Sequence, residues 1–175
     1  MANYQLEQPV ELPPLWFTYS ENNKELKKVE NVYGYDEAWE TTSSGTPGTW
    51  DESVWLSRVI VAGKNINQAN YRIYDWFIFD VVFESDDFRE IRLWNGGNGG
   101  YITKEGDWNG YNADNLIITN LFDGSPVTSG TPIQAGVKYR FKVKIMKENL
   151  ENQAYGLSVN SASSFKVIFA NPSFE

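Results

Sequence analysis

The chain is 175 residues long, carries a formal net charge of -8 with a pI near 4.6, and contains neither cysteine nor histidine. Those two absences exclude disulfide frameworks, thiolate metal sites, Ser-His-Asp and Cys-His hydrolases and typical zinc enzymes. The acidic balance argues against nucleic acid, which calls for a basic footprint, and leaves neutral glycans, cations and protein surfaces as partners.

Residues 1–15 read as an extended arm. Pro9, Pro13 and Pro14 withhold backbone donors and favour polyproline conformation, while Val10, Leu12 and Leu15 offer apolar contacts to a neighbouring chain. The first ten residues hold neither a basic n-region nor an apolar h-region, so no secretory signal is expected. No membrane partner is expected either: the densest apolar run, WFIFDVVF (76–83), is too short to span a bilayer and contains Asp80. LWFTY and LKKVENVYG flank the turn-like SENNKE and predict a hairpin, although Leu26, Val29 and Val32 also suit a short helix. The stretch TTSSGTPGT (41–49) is a loop by composition.

Strand candidates follow at 54–62, 71–83, 89–94, 115–122, 137–145, 155–160 and 165–170, separated by turn signals such as ESDD, FDGSP and QAG. VKYRFKVKI (137–145) alternates strictly. It sets Val137, Tyr139, Phe141, Val143 and Ile145 on a core face and Lys138, Arg140, Lys142 and Lys144 on a wet one. YRIYDWFIFDVVF (71–83) has apolar groups on both faces and predicts a central strand whose second face is covered by another element or a partner. Phe77, Phe79 and Val81 are expected in the core with Tyr139, Phe141 and Val143. The pattern predicts an all-β chain: a single-domain antiparallel β-sandwich or jelly roll over 16–175 behind the Pro-rich arm.

WNGGNGGYITKEGDWNGY (94–111) concentrates six of the 14 glycines and four aromatic residues. Rings in a glycine-rich polar loop either return to the core or meet a ligand. Trp94 ends a strand and is expected in the core, whereas Trp108 and Tyr111, in a turn beside Gly110, are expected to form an exposed contact surface. The candidate ligand- or partner-binding set is Trp94, Tyr101, Asp107, Trp108, Asn109 and Tyr111. The spacing of Asp107, Asn109, Asn112 and Asp114 departs from an EF-hand, and turn chemistry explains these residues, so no metal and no cofactor are expected.

Catalysis without His or Cys would need a carboxylate pair. ESDDFRE (84–90) looks like the Glu-x-Asp-x-x-Glu strand of one jelly-roll hydrolase family, but Glu90 comes one residue late and the apolar alternation is missing. Asp86 and Asp87 read as a solvated turn, and no enzyme is expected.

Two resemblances remain. IQAGVKYRFKVKI (133–145) and the ending NPSFE resemble segments of jelly-roll carbohydrate-binding modules, which implies polysaccharide binding by aromatic stacking. In plan, the absent leader, the absence of Cys, the Pro-rich arm and the acidic sandwich resemble bacteriophage virion proteins of the head-decoration or tail and fibre type. That resemblance implies a non-enzymatic component of a homo- or hetero-oligomeric protein assembly, located in the virion after assembly in host cytoplasm. The preferred expectation is the virion protein, docking by its arm (Pro9, Val10, Leu12, Pro13, Pro14, Leu15). An extracellular carbohydrate-binding module is the alternative.

Overall fold

A computed structural model describes residues 27–43, 50–58, 74–95, 99–145 and 154–175. Among them there is no helix, and hence none long and apolar enough to cross a membrane. The strands are β1 (Lys27–Val32), β2 (Tyr35–Thr42), β3 (Trp50–Arg58), β4 (Trp76–Phe83), β5 (Phe88–Asn95), β6 (Gly99–Thr103), β7 (Trp108–Asn109), β8 (Leu116–Asn120), β9 (Pro126–Val127), β10 (Tyr139–Lys144), β11 (Ala154–Ser161) and β12 (Lys166–Phe174). The arm at 1–15, the expected hairpin about SENNKE and residues 44–49 of the expected loop lie outside the described residues.

Two antiparallel sheets form the sandwich, a seven-stranded one in the order β1-β2-β12-β4-β10-β8-β9 and a five-stranded one in the order β3-β11-β5-β6-β7. The pairs are nested. The innermost hairpin β5·β6 lies in the five-stranded sheet, β4·β10 in the seven-stranded, β3·β11 in the five-stranded and β2·β12 in the seven-stranded. A long hairpin rolled so that successive pairs fall alternately in the two layers is a jelly roll. The expected fold class holds.

Period two decides the core. Tyr139, Phe141 and Val143 on β10 lie opposite Val81, Phe79 and Phe77 on β4, and all six are buried. They meet Ile91 and Leu93 of β5, Ile102 of β6 and Leu157 and Val159 of β11 from the other sheet. The rings pack closely: Phe79 has Phe141 at 5.4 Å and Phe169 at 6.3 Å between centroids.

The second face of β4 is covered too, as its two-sided apolar pattern requires. Val82 with Ile168 and Ala170 of β12 forms a small outer cluster beneath Ala38, and Val29, Val32 and Tyr35 close over it. The β1–β2 hairpin thus folds across the outside of its own sheet. Its turn is Tyr33–Gly34, both at positive φ (50° and 78°), as a two-residue hairpin whose twist matches its strands requires. The helical option for Leu26–Val32 is overturned over its described part, 27–32, because this stretch pairs with β2 along its length.

Candidate functional site

The glycine-rich segment is built from packing. Tyr111 is buried at 7 % exposure within the main core, and its hydroxyl donates to the Leu93 carbonyl. The expectation that Tyr111 forms an exposed contact surface is therefore corrected. The physical reason is Gly100, whose missing side chain makes room for the ring. A Cβ there would stand 2.4 Å from Tyr111 Cε2 and 2.6 Å from the Asn109 carbonyl oxygen. Gly110, at φ +77°, turns the chain so that Tyr111 comes back over Gly100.

Trp108 is half-buried rather than exposed. It pairs with Ile102, lies against the core, and its enclosed Nε1 finds no acceptor among the described residues. Tyr101 is half-buried, with the Asn109 Nδ2 donating to its hydroxyl at 3.3 Å. Asp107 and Asn109 are exposed, and Asp107 closes the β6–β7 turn by donating its backbone N–H to Thr103 Oγ1 at 3.0 Å. Trp94 pairs through its backbone with Gly99 and Gly156, and its side chain lies outside the described residues. Asn112 and Asn115 accept backbone N–H groups at 2.9 Å, the turn chemistry that their composition predicts.

Asp86 and Asp87 are exposed in the β4–β5 turn and serve as structural acceptors. Asp86 takes the Ala135 N–H at 3.2 Å, and Asp87 takes the Ser163 hydroxyl.

A different locus was missed in the sequence: the outer face of the seven-stranded sheet. Asp80, in the middle of β4, points outward yet is only 1 % exposed. Its carboxylate accepts from Arg140 Nε (2.8 Å) and Nη2 (3.2 Å), from the Tyr35 hydroxyl (3.0 Å) and from Asn171 Nδ2 (3.1 Å). A buried carboxylate needs this degree of compensation. Arg140 lies directly across from Asp80 in the register, and Tyr35 arrives from the hairpin that covers the sheet. Asn171 arrives through a bulge. Between Ala170, opposite Asp80, and Ser173, opposite Ile78, β12 carries one residue more than β4, and Asn171 adopts φ 50°.

Beside this cluster is a groove of about 550 Å³ lined by Ile78, Ile117, Thr119, Arg140, Lys142 and the bulged segment Asn171–Ser173 with Glu175. Lys142 donates to Glu175 at 2.7 Å, and its ammonium sits 5.2 Å from the Trp76 ring centroid.

Tyr35, Tyr111 and Tyr139 are all raised above the ordinary phenol value of 10.0, in each case chiefly by burial; at Tyr35 the neighbouring Asp80 charge adds to it. Unfolded tyrosines ionise near pH 10 while the folded ones hold their protons, so stability is fully present below pH 10 and falls as pH rises beyond it. Urea unfolding at pH 8 and at about pH 11 should show this loss, and Tyr35→Phe should make it shallower. An unchanged dependence in that variant would contradict the role of Tyr35.

Comparison with family models, with characterised proteins and with solved structures finds no match for this chain.

Proposed function

We propose that the chain is a non-enzymatic structural and binding protein of a larger assembly of the virion type, in which the jelly roll is a rigid recognition body. The observation that carries protein contact is Phe122, 89 % exposed at the tip of the β8–β9 turn. The turn is tightly held. Asn120 Oδ1 accepts the Phe122 N–H at 2.8 Å, Gly124 N–H reaches the Asn120 carbonyl at 2.8 Å, and Asp123 Oδ1 accepts the Ser125 N–H (2.9 Å) and hydroxyl (2.6 Å). A fully exposed phenylalanine on a preorganised turn loses little freedom when a partner buries it, which makes it suited to anchor an interface. The non-catalytic reading is supported by the carboxylates around the outer groove: Asp80 and Glu175 are both held in ion pairs.

Phe122→Ser tests the assembly reading. The exposed side chain contributes little to folding, so the thermal midpoint should stay put, while association weakens roughly thirtyfold if Phe122 is an anchor. Size exclusion with light scattering and negative-stain imaging of the full chain would measure this. Identical association of variant and wild type would remove the support. The second reading, an extracellular carbohydrate-binding module, is favoured by the outer-face groove.

A further inference from the structure

We propose that the groove on the outer face of the seven-stranded sheet is a binding site for a short neutral oligosaccharide, an assignment that rests on the reading of the jelly roll as a recognition body. Three observations lead there. The first is charge. Arg140 is paired with Asp80 and Lys142 with Glu175, so the cations and anions about the groove cancel two against two. The balanced pairs leave no net charge there to draw an anionic or a cationic ligand. A neutral ligand disturbs neither pair.

The second is donor and acceptor chemistry. A guanidinium has five N–H donors and an ammonium three, so Arg140 and Lys142 keep donors beyond those spent on their partners. Thr119 and Ser173 contribute hydroxyls that both donate and accept, and the Asn171 carboxamide keeps its oxygen after its Nδ2 is spent on Asp80. Mixed donors and acceptors held in fixed positions match the hydroxyls of a sugar ring. Ile78, Ile117 and Pro172 supply apolar patches between them for the C–H face of that ring, with Ile117 41 % exposed.

The third is what the groove lacks for a peptide. A peptide that adds as a strand needs a free strand edge, but β4 is paired on both sides by β12 and β10, and β10 by β4 and β8. The floor therefore offers side chains and no ladder of backbone groups. The volume of about 550 Å³ lies in the range of small-ligand sites, and the bulge in β12 raises Asn171 and Pro172 as a wall on one side.

The test is titration calorimetry of the full chain with a panel of neutral hexasaccharides (gluco-, xylo-, manno- and N-acetylchito-oligomers). Oligogalacturonate and an unstructured peptide serve as the alternative ligands. The wild type should bind at least one neutral oligomer, and Lys142→Ala and Ile117→Asp should each weaken it by tenfold or more with the thermal midpoint unchanged. Glu105→Gln, exposed and outside the groove, should bind like the wild type. Absence of binding to every neutral oligomer, preference for oligogalacturonate or peptide, or variants that bind undiminished would each overturn the assignment. Loss of the glycan site leaves the Phe122 association assay intact, so the two readings fail separately.

Discussion

Replacing Asp80 by alanine should cost about 3 kcal/mol of folding stability, a fall in Tm of roughly 6–12 °C for a chain of this size. Removing one partner of a buried ion pair strands the other, and this typically costs 3–5 kcal/mol. The lower end applies because the Arg140 side chain is 46 % exposed and water can recover part of its solvation. Three elements lose an anchor at once: the β1–β2 hairpin through Tyr35, β10 through Arg140 and the β12 bulge through Asn171. Tyr35→Phe deletes only one hydrogen bond and should cost nearer 1 kcal/mol. Urea denaturation of the two variants separates these magnitudes, and a loss below about 1 kcal/mol for Asp80→Ala would show that the whole carboxylate network contributes no more than one hydrogen bond.

That network also marks where sequence patterning stops being informative. The alternation in 137–145 identifies the inward row of β10 unaided, because a one-residue slip would put four cations into the core. The apolar run at 76–83 identifies a central strand covered on both faces, and β4 is such a strand. What covers it was not legible. KKVENV buries almost nothing of itself, and its contribution, Val29 and Val32 over Ala38, is too sparse to stand out among charges. Asp80 stands alone as a charge inside the apolar run. The available signal was that a carboxylate inside such a run must be paired, yet the partner, Arg140, is 60 residues away and emerges only from the strand register.

The inward turn of Tyr111 escapes the sequence for a related reason. Glycines beside aromatic residues suit a ring turned outward or one turned inward, and for Tyr111 the close approach that Gly100 and Gly110 permit draws it inward. The groove depends instead on Asn171–Pro172, a dipeptide that signals a turn, here set as a bulge inside β12. Its other residues, Ile78, Lys142, Ile117 and Thr119, form one patch only after three strands are aligned.

Gly100→Ala should destabilise the fold by about 2–3 kcal/mol, the upper part of the range for forcing atoms into a filled core. The new methyl would meet Tyr111 Cε2 at 2.4 Å and Cδ2 at 2.7 Å, and the Asn109 carbonyl oxygen at 2.6 Å. Neither neighbour gives way easily. The ring is buried with its hydroxyl on the Leu93 carbonyl, and Asn109 is held by its pairing with Tyr101. Gly124→Ala is the contrasting case: Gly124 has a positive φ of 75° and nothing within 4 Å of the added Cβ, so only the backbone cost of about 1–2 kcal/mol applies. Gly100 has no positive φ, so its cost is steric alone. Tyr111→Ala by itself should cost about 3–5 kcal/mol through the cavity it leaves. Combined with Gly100→Ala, the double variant should lose less than the sum of the two single losses, since deleting the ring removes part of the clash while the Asn109 contact persists. Strict additivity in denaturant unfolding would mean that the ring and the glycine act independently, and Tyr111 would then owe its burial to something other than the space at Gly100.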